Sequence, residues 1–289
     1  MIKLNFENQV AIITGSGRGL GAAYAEELAK RGAKVVIHDG GVSLDGTGND
    51  PSIAEKQAQK IIHQGGQAVA STTNINNRSG CQALIKETIE AFGRVDILIH
   101  NAGWVGYQTI TELTPEFLDR AIAVQLEAPI WLAQAVWPHM QKQNYGRIVL
   151  TTSCRAIYTE YASAGLSAYA ATKISQIGLM NVLATESNGL GIEINAVSPV
   201  ARTRMWGVNR EPLDLKPASI VPGVIYLASS KCKDSAWVLR ASNGQFHGIR
   251  WQEAIGVDYP LNILGQLCKT AEEVAEKWEK IAVPVGEFR

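Results

Sequence analysis

The chain has 289 residues, a formal net charge of zero and only 19% charged residues, below the usual ~25% of soluble chains. That balance argues against nucleic acid or an anionic membrane surface as a partner, and the length fits one large domain or two small ones. The four cysteines, Cys81, Cys154, Cys232 and Cys268, form no CxxC pair, and the five histidines show no ligand spacing; neither a metal site nor a disulfide framework is expected. The first ten residues hold no signal-peptide core, and no apolar run approaches the ~18 residues of a membrane span. The last three residues, Glu287-Phe288-Arg289, match no peroxisomal address. A cytoplasmic protein is the expectation.

Taken in chain order, strand-like apolar runs fall at 10–14, 34–38, 68–72, 95–100, 147–151, 193–197 and 237–241. Helical stretches lie between them at roughly 20–31, 51–64, 78–92, 115–142, 168–188 and 217–229. Continuous apolar strands joined by helices read as a parallel sheet covered on both faces, the doubly wound α/β (Rossmann) fold, which binds ligands at the carboxyl ends of its strands. Residues 1–250 are expected to form one dinucleotide-binding catalytic domain. Residues 251–289 are an extension whose helix opens at the capping box Thr270-Ala271-Glu272-Glu273 and runs to about residue 281. Its expected place is against the domain or a neighbouring subunit.

Between the first strand and the first helix stands Thr14-Gly15-Ser16-Gly17-Arg18-Gly19-Leu20-Gly21. Gly15, Gly19 and Gly21 have the spacing GxxxGxG. Such glycines let the backbone approach a pyrophosphate, and the N–H groups of the helix start face the anion. Gly15, Arg18, Gly19, Leu20 and Gly21 are therefore candidate cofactor residues. Asp39 ends the second strand, eighteen residues past Gly21. A carboxylate there accepts bonds from the adenosine ribose and repels a 2′-phosphate. Arg18 pulls the other way, but Asp39 points at the ribose directly, so NAD is expected rather than NADP.

Tyr169-Ala170-Ala171-Thr172-Lys173 places a phenol and an ammonium one helical turn apart on one face. A free tyrosine has a pKa near ~10. A lysine cation one turn away, with a positive nicotinamide, favours the phenolate and is expected to lower that value. Tyr169 would then take the hydroxyl proton of an alcohol, or return it to a ketone.

With Asn101-Ala102-Gly103 after the fourth strand, these motifs resemble the short-chain dehydrogenase/reductase family over at least residues 7–245. Within it the chain is most similar to the (3R)-hydroxyacyl-CoA dehydrogenase part of the peroxisomal multifunctional enzymes. That likeness is carried by His38-Asp39-Gly40-Gly41, Tyr145-Gly146-Arg147-Ile148-Val149, Arg204-Met205 and Gly248-Ile249-Arg250-Trp251. The resemblance implies that Ser153 is the catalytic serine, Tyr169 the acid/base and Lys173 its lysine. It implies that Asn101, Ala102 and Gly103 line the cofactor, that Thr203 past Pro199 reaches the carboxamide, and that Asn74 and Ile75 meet the adenine. Val197 and Ile13 would pack on the cofactor rings. It also implies a homo-oligomer, a tetramer, paired through the helices at 115–142 and 168–188.

Four positions depart from the family pattern. Gln125 stands where the family has its assisting Asn, and is taken as the fourth catalytic residue. Val200 replaces a Gly, His100 precedes Asn101 where an Asn is usual, and the stretch between Ser153 and Tyr169 is longer than usual. Trp104, Val105, Tyr107, Arg155, Tyr158, Tyr161 and Trp206 are candidate substrate-facing residues. Their character points to an apolar or ring-bearing secondary alcohol or ketone. A 3-hydroxyacyl-CoA dehydrogenase is the alternative within the enzyme class, and a non-catalytic dinucleotide-binding protein the alternative outside it.

Overall fold

The computed structural model describes residues 4–43, 46–206 and 213–282. Two compact units emerge, Met1–Ile249 and Arg250–Arg289. The first is built on an eight-stranded sheet of order β3-β2-β1-β4-β5-β6-β7-β8. Its strands are β1 (Val10–Thr14), β2 (Lys34–His38), β3 (Gln67–Ser71), β4 (Ile97–His100), β5 (Gly146–Thr151), β6 (Ile192–Val200), β7 (Val238–Ser242) and β8 (Gln245–Ile249). The first seven run parallel, and the order reverses direction at β1, flanked by β2 and β4. Crevices open beyond the carboxyl ends of strands at such a switch point.

The helices are α1 (Gly19–Lys30), α2 (Ser52–His63), α3 (Arg78–Phe92), α4 (Pro115–Ile122), α5 (Ala128–Gln143), α6 (Cys154–Ile157), α7 (Ser167–Glu186) and α8 (Val221–Ala228). Local chemistry sets their ends. Asn77 caps α3 by accepting from the Gly80 N–H, and Gly93 closes it at φ 79°. Thr114 caps α4 ahead of Pro115 in the first turn.

The period-2 alternation of the strands divides the core between two faces. Ala11, Ile13, Val35, Ile37, Ile97, Ile99 and Val149 pack with α1 and α8. Ile12, Val36, Leu98, Ile148, Leu150 and Ile194 pack with α3, α5 and α7. Both faces are covered, as continuous apolar strands require.

Three expectations are corrected. The helix expected over 115–142 is broken by a wider π-turn at Ala123–Glu127, where the Ala128 N–H reaches back to the Ala123 carbonyl. The strand β8 was not expected. It pairs antiparallel with β7 through Asn243 (φ 49°) and Gly244 (φ 79°), a dipeptide that favours the tight turn whose twist suits a hairpin. The extension's expected single helix is two short ones, α9 (Ala271–Glu276) and α10 (Trp278–Ile281), with Thr270 capping the first by accepting from the Glu273 N–H.

Candidate active site

The Gly turn is shaped by close approach. Gly15 has φ 64°, and a Cβ there would stand 2.9 Å from the Ala102 Cα; at Gly21 a Cβ would run into the Gly15 carbonyl. Thr14 and Asn101 knit the ends of β1 and β4 behind it. The Thr14 hydroxyl oxygen accepts from the Asn101 and Ala102 N–H groups at 3.1 and 3.0 Å. The Asn101 amide donates to the Thr14 and Gly15 carbonyls. In front of the turn, α1 begins with no side-chain cap and no acidic residue in its first turn. Its leading N–H groups and positive dipole end face the crevice, an arrangement suited to a diphosphate. Thr203 stands beside this mouth, its methyl 3.6 Å from the Cβ position of Gly19.

Asp39 follows β2 and is 8% exposed. One carboxylate oxygen accepts from the Gly17 N–H and the other from the Gly41 N–H, each at 2.9 Å. It therefore ties the Gly turn to the next loop as well as facing the crevice. Two guanidinium groups stand around it. Arg18 and Arg204 both donate to the Val42 carbonyl at 3.0 Å. Burial and the Arg18 cation lower the Arg204 pKa, while Asp39 supports its charge. Asn74 is exposed, and its side-chain oxygen accepts from the Asn76 N–H; a second lone pair remains on that oxygen. Ile75 is buried in the core, and Pro199 lies half-buried near the end of β6.

Ser153, Tyr169 and Lys173 come together past β5. Ser153 is the residue before α6, and its hydroxyl oxygen accepts from the Arg155 N–H at 3.2 Å. Tyr169 lies in the first turn of α7 and Lys173 in the next. The Thr152 hydroxyl donates to the Lys173 carbonyl at 2.7 Å, holding α7 against β5. The buried Lys173 ammonium donates to the Thr151 carbonyl at 2.9 Å, and burial pulls its pKa down to about 8. The Tyr169 value moves opposite to expectation. Burial raises it, against the Ser153 hydroxyl and the Arg155 cation, which lower it. The reason is solvation: taking the phenolate out of water costs more than these neighbours return.

Gln125 lies in the π-turn, fully buried. Neither Oε1 nor Nε2 meets a protein partner. A Cβ on Gly103 would come within 3.0 Å of Gln125 Oε1 and 3.3 Å of Lys173 Nζ, so amide and ammonium flank one small space. Two carbonyls of the turn are engaged from outside. His100 Nε2 lies 3.0 Å from the Val124 oxygen, and the Gln176 amide donates to the Gln125 oxygen at 2.9 Å. A carbonyl only accepts, so Nε2 carries the proton, and His100 Nδ1 accepts from the Thr14 hydroxyl at 3.1 Å. Burial and Lys173 push His100 down to about 3; it is a neutral connector. Sequence reasoning missed the parts played by Thr14, His100 and Gln176, and the His100 departure was the visible signal.

The aromatic candidates divide. Trp104 is buried, edge-to-face with Phe117 at 4.8 Å and under the Arg120 guanidinium. These contacts hold its ring against α4. Tyr158 and Tyr161 carry the Arg240 guanidinium over their rings at 4.8 and 5.7 Å. Tyr107 is exposed and its hydroxyl accepts from Arg155 at 2.7 Å. The Trp206 side chain lies outside the described residues. Among the described residues no cluster suits a metal ion, and no helix is long and apolar enough to cross a membrane.

The sequence profile of the short chain dehydrogenases matches residues 9–213. The chain belongs to that family. It is 34% identical to the mouse peroxisomal multifunctional enzyme type 2 over 96% of this chain, but spans only 37% of that enzyme's length. A short chain dehydrogenase from Mycobacterium avium superposes with a TM-score of 0.81 at 30% identity, covering 97% of this chain and 98% of that one. A 7α-hydroxysteroid dehydrogenase, solved with NADH and 7-oxo glycochenodeoxycholic acid, gives a TM-score of 0.74 at 27% identity, covering 87% and 99%. The protein is thus an oxidoreductase of this family with a Rossmann-type fold.

Proposed function

We propose that this oxidoreductase interconverts a secondary alcohol and a ketone with NAD, using Ser153, Tyr169, Lys173 and Gln125. The observation that carries the reading is the convergence of the Ser153 hydroxyl, the Tyr169 phenol and the buried Lys173 ammonium beside an uncapped helix start. The crevice suits a nicotinamide dinucleotide: Gly15, Arg18, Gly19, Leu20 and Gly21 face its diphosphate, and Thr203 reaches the carboxamide. Asp39 takes the adenosine ribose, Asn74 and Ile75 the adenine side, and Asn101, Ala102, Gly103 and Pro199 the nicotinamide half. When bound, the oxidised dinucleotide supplies the hydride acceptor.

Ser153 holds the substrate oxygen against Tyr169, fixing the carbinol for reaction. Tyr169 takes the hydroxyl proton as the carbinol C–H breaks and the C=O forms. Lys173 binds the nicotinamide ribose, and its cation adds to the pull of Arg155 and Ser153 on a phenol that burial has raised. Gln125 holds a water beside Lys173, through which the proton leaves. The working unit is a homotetramer. On α7, Ala171, Ile174, Gly178 and Val182 form an exposed stripe at helical spacing, a small apolar face suited to a two-fold partner.

Steady-state oxidation of a panel of secondary alcohols with NAD tests the reading. Formation of NADH that depends on Tyr169 supports it. Dinucleotide binding without turnover of any alcohol or ketone in the panel would overturn it.

A further inference from the structure

The Gly-rich loop between β2 and α2 has no part in the chemistry proposed above, yet separate elements hold it. Its ends are pinched together: Gly41 has φ 65°, and a Cβ there would run into the Asp50 backbone. A compact loop on so narrow a neck is the Ω form, which is frequently functional. At the neck, Asp39 accepts from the Gly17 and Gly41 N–H groups. Further out, the Val42 carbonyl accepts from Arg18, at the start of α1, and from Arg204, past the end of β6, each at 3.0 Å. Beyond that, Gly46 lies on Trp104, whose Cδ1 is 3.1 Å from the Cβ position of the glycine. Trp104 is a firm anchor: Phe117 meets its ring edge-to-face, and a Cβ at Gly106 would run into the same ring.

The sheet order gives these contacts a meaning. Three strands, β1, β4 and β5, lie between β2 and β6. At about 4.8 Å per spacing, β2 and β6 are roughly 19 Å apart. The bond from Arg204 to Val42 therefore joins segments from opposite sides of the switch-point crevice, across the carboxyl ends of the strands between them. Thr203 adds to the span with its methyl beside Gly19. Gly46 on Trp104 makes a second crossing, from β2 to the segment after β4. On the basis of the function proposed above, we infer that this loop is a strap across the bound dinucleotide, and that Arg204 is the positioning residue that fastens it to the substrate side. Both fasteners join two parts of the chain, and neither needs a ligand. The dinucleotide therefore has to part them on the way in as well as on the way out. Such a strap raises the barrier to both steps and leaves the affinity to Asp39, the Gly turn and Lys173. Arg204 acts through the loop and takes no part in the proton or hydride step.

Stopped-flow fluorescence of NADH reads both rates without turnover: association on mixing, and dissociation when the complex is chased with excess NAD. Arg204→Met removes one fastener. Gly46→Ala weakens the other, by forcing a Cβ at φ 79° against the indole. In Arg204→Met, association and dissociation should both accelerate by about tenfold, the weight of one charge-assisted bond, while Kd stays within about threefold. Gly46→Ala should move both rates in the same direction, and Arg204→Lys, which keeps a donor, should return part of the way. The split between rates and affinity separates a strap from a direct contact. Faster dissociation with association unchanged, and Kd weakened in proportion, overturns the inference and makes Arg204 a ligand of the dinucleotide. Rates unmoved in either Arg204→Met or Gly46→Ala overturn it too. Both of those results leave the dehydrogenase reading standing. Failure of the wild type to bind NADH or NADPH overturns that reading and the strap with it.

Discussion

The proposed preference for NAD rests on Asp39, and Asp39→Ala is expected to shift it toward NADP. The wild-type carboxylate sits almost out of water at the end of β2, where a 2′-phosphate would approach it. Two unit charges 4 Å apart repel by about 4 kcal/mol at an effective dielectric of 20, a factor of about 10³. Salt reduces this, so a preference for NAD of about 10² is expected in the wild type. The substitution removes the repulsion and leaves Arg18 and Arg204, both already turned to this loop through the Val42 carbonyl. The ratio of kcat/KM for NADP over NAD should rise by about 10² or more. A cost accompanies the change. Asp39 also accepts from the Gly17 and Gly41 N–H groups, and bonds to a charged acceptor contribute about 1.5–3 kcal/mol each. The cofactor-free variant should melt several degrees lower, at about 2–4 °C per kcal/mol for a domain of this size, and NADP should restore more of that loss than NAD. Two results would refute the reasoning: equal use of both cofactors by the wild type, or a variant whose preference does not move.

Tyr169→Phe should lower kcat by about 10²–10⁴, the usual share of a proton-transferring group, with NADH fluorescence titration still showing binding; more than a tenth of the wild-type rate would remove the phenol from the mechanism. Gln125→Asn should keep activity within about tenfold, or ~1.4 kcal/mol of barrier, whereas Gln125→Ala should lose more and shift the pH–rate profile. An unchanged profile in Gln125→Ala would reduce the site to three residues. Burial lowers the folded Lys173 from an ordinary 10.5 to about 8, so the unfolded chain binds more protons between those values. The cofactor-free protein should therefore gain stability from this group as pH rises from 8 to 10.5. Denaturant titrations should show a flatter rise in Lys173→Met, and an equal rise in both proteins would contradict the burial argument. Light scattering should give a tetramer, and Val182→Glu on the exposed face of α7 should lower the assembly state; a wild-type monomer at micromolar concentration would refute that arrangement.

The parallel sheet, the Gly turn and the pairing of Tyr169 with Lys173 were legible because each is written in local periodicity. Continuous apolar runs, a glycine spacing and an i, i+4 pair each lie within one element or one turn. What escaped depended on contacts between distant segments, or on a signal passed over. The Asn243-Gly244 turn announced β8, yet the strand–helix rhythm of the preceding chain led away from an antiparallel edge. Residue type makes Trp104 a substrate-facing candidate; its buried ring meets Phe117 edge-to-face and lies under the Arg120 guanidinium, two contacts from α4 that local pattern does not show. Sequence reasoning has Tyr169 lowered by the cation one turn away; in the cofactor-free fold burial outweighs its neighbours and raises the phenol.

The break in the 115–142 helix joins two departures that looked separate in the sequence. A π-turn widens the backbone, and its carbonyls need partners when buried, since each unmet polar group costs about 1–3 kcal/mol. His100, at the end of β4, meets the Val124 carbonyl, and Gln176, on α7, meets that of Gln125. Both partners lie far along the chain, so no reading of residues 115–142 alone reveals the break. With those carbonyls occupied, the buried side-chain polar atoms of the turn left without a protein partner are the two of Gln125, across the space beside Gly103 from the Lys173 ammonium. An asparagine at position 125 would place its amide one methylene further back from that space. The longer amide at 125 and the imidazole at 100 therefore belong to one construction: the histidine secures the widened turn, and the turn brings the glutamine to the lysine.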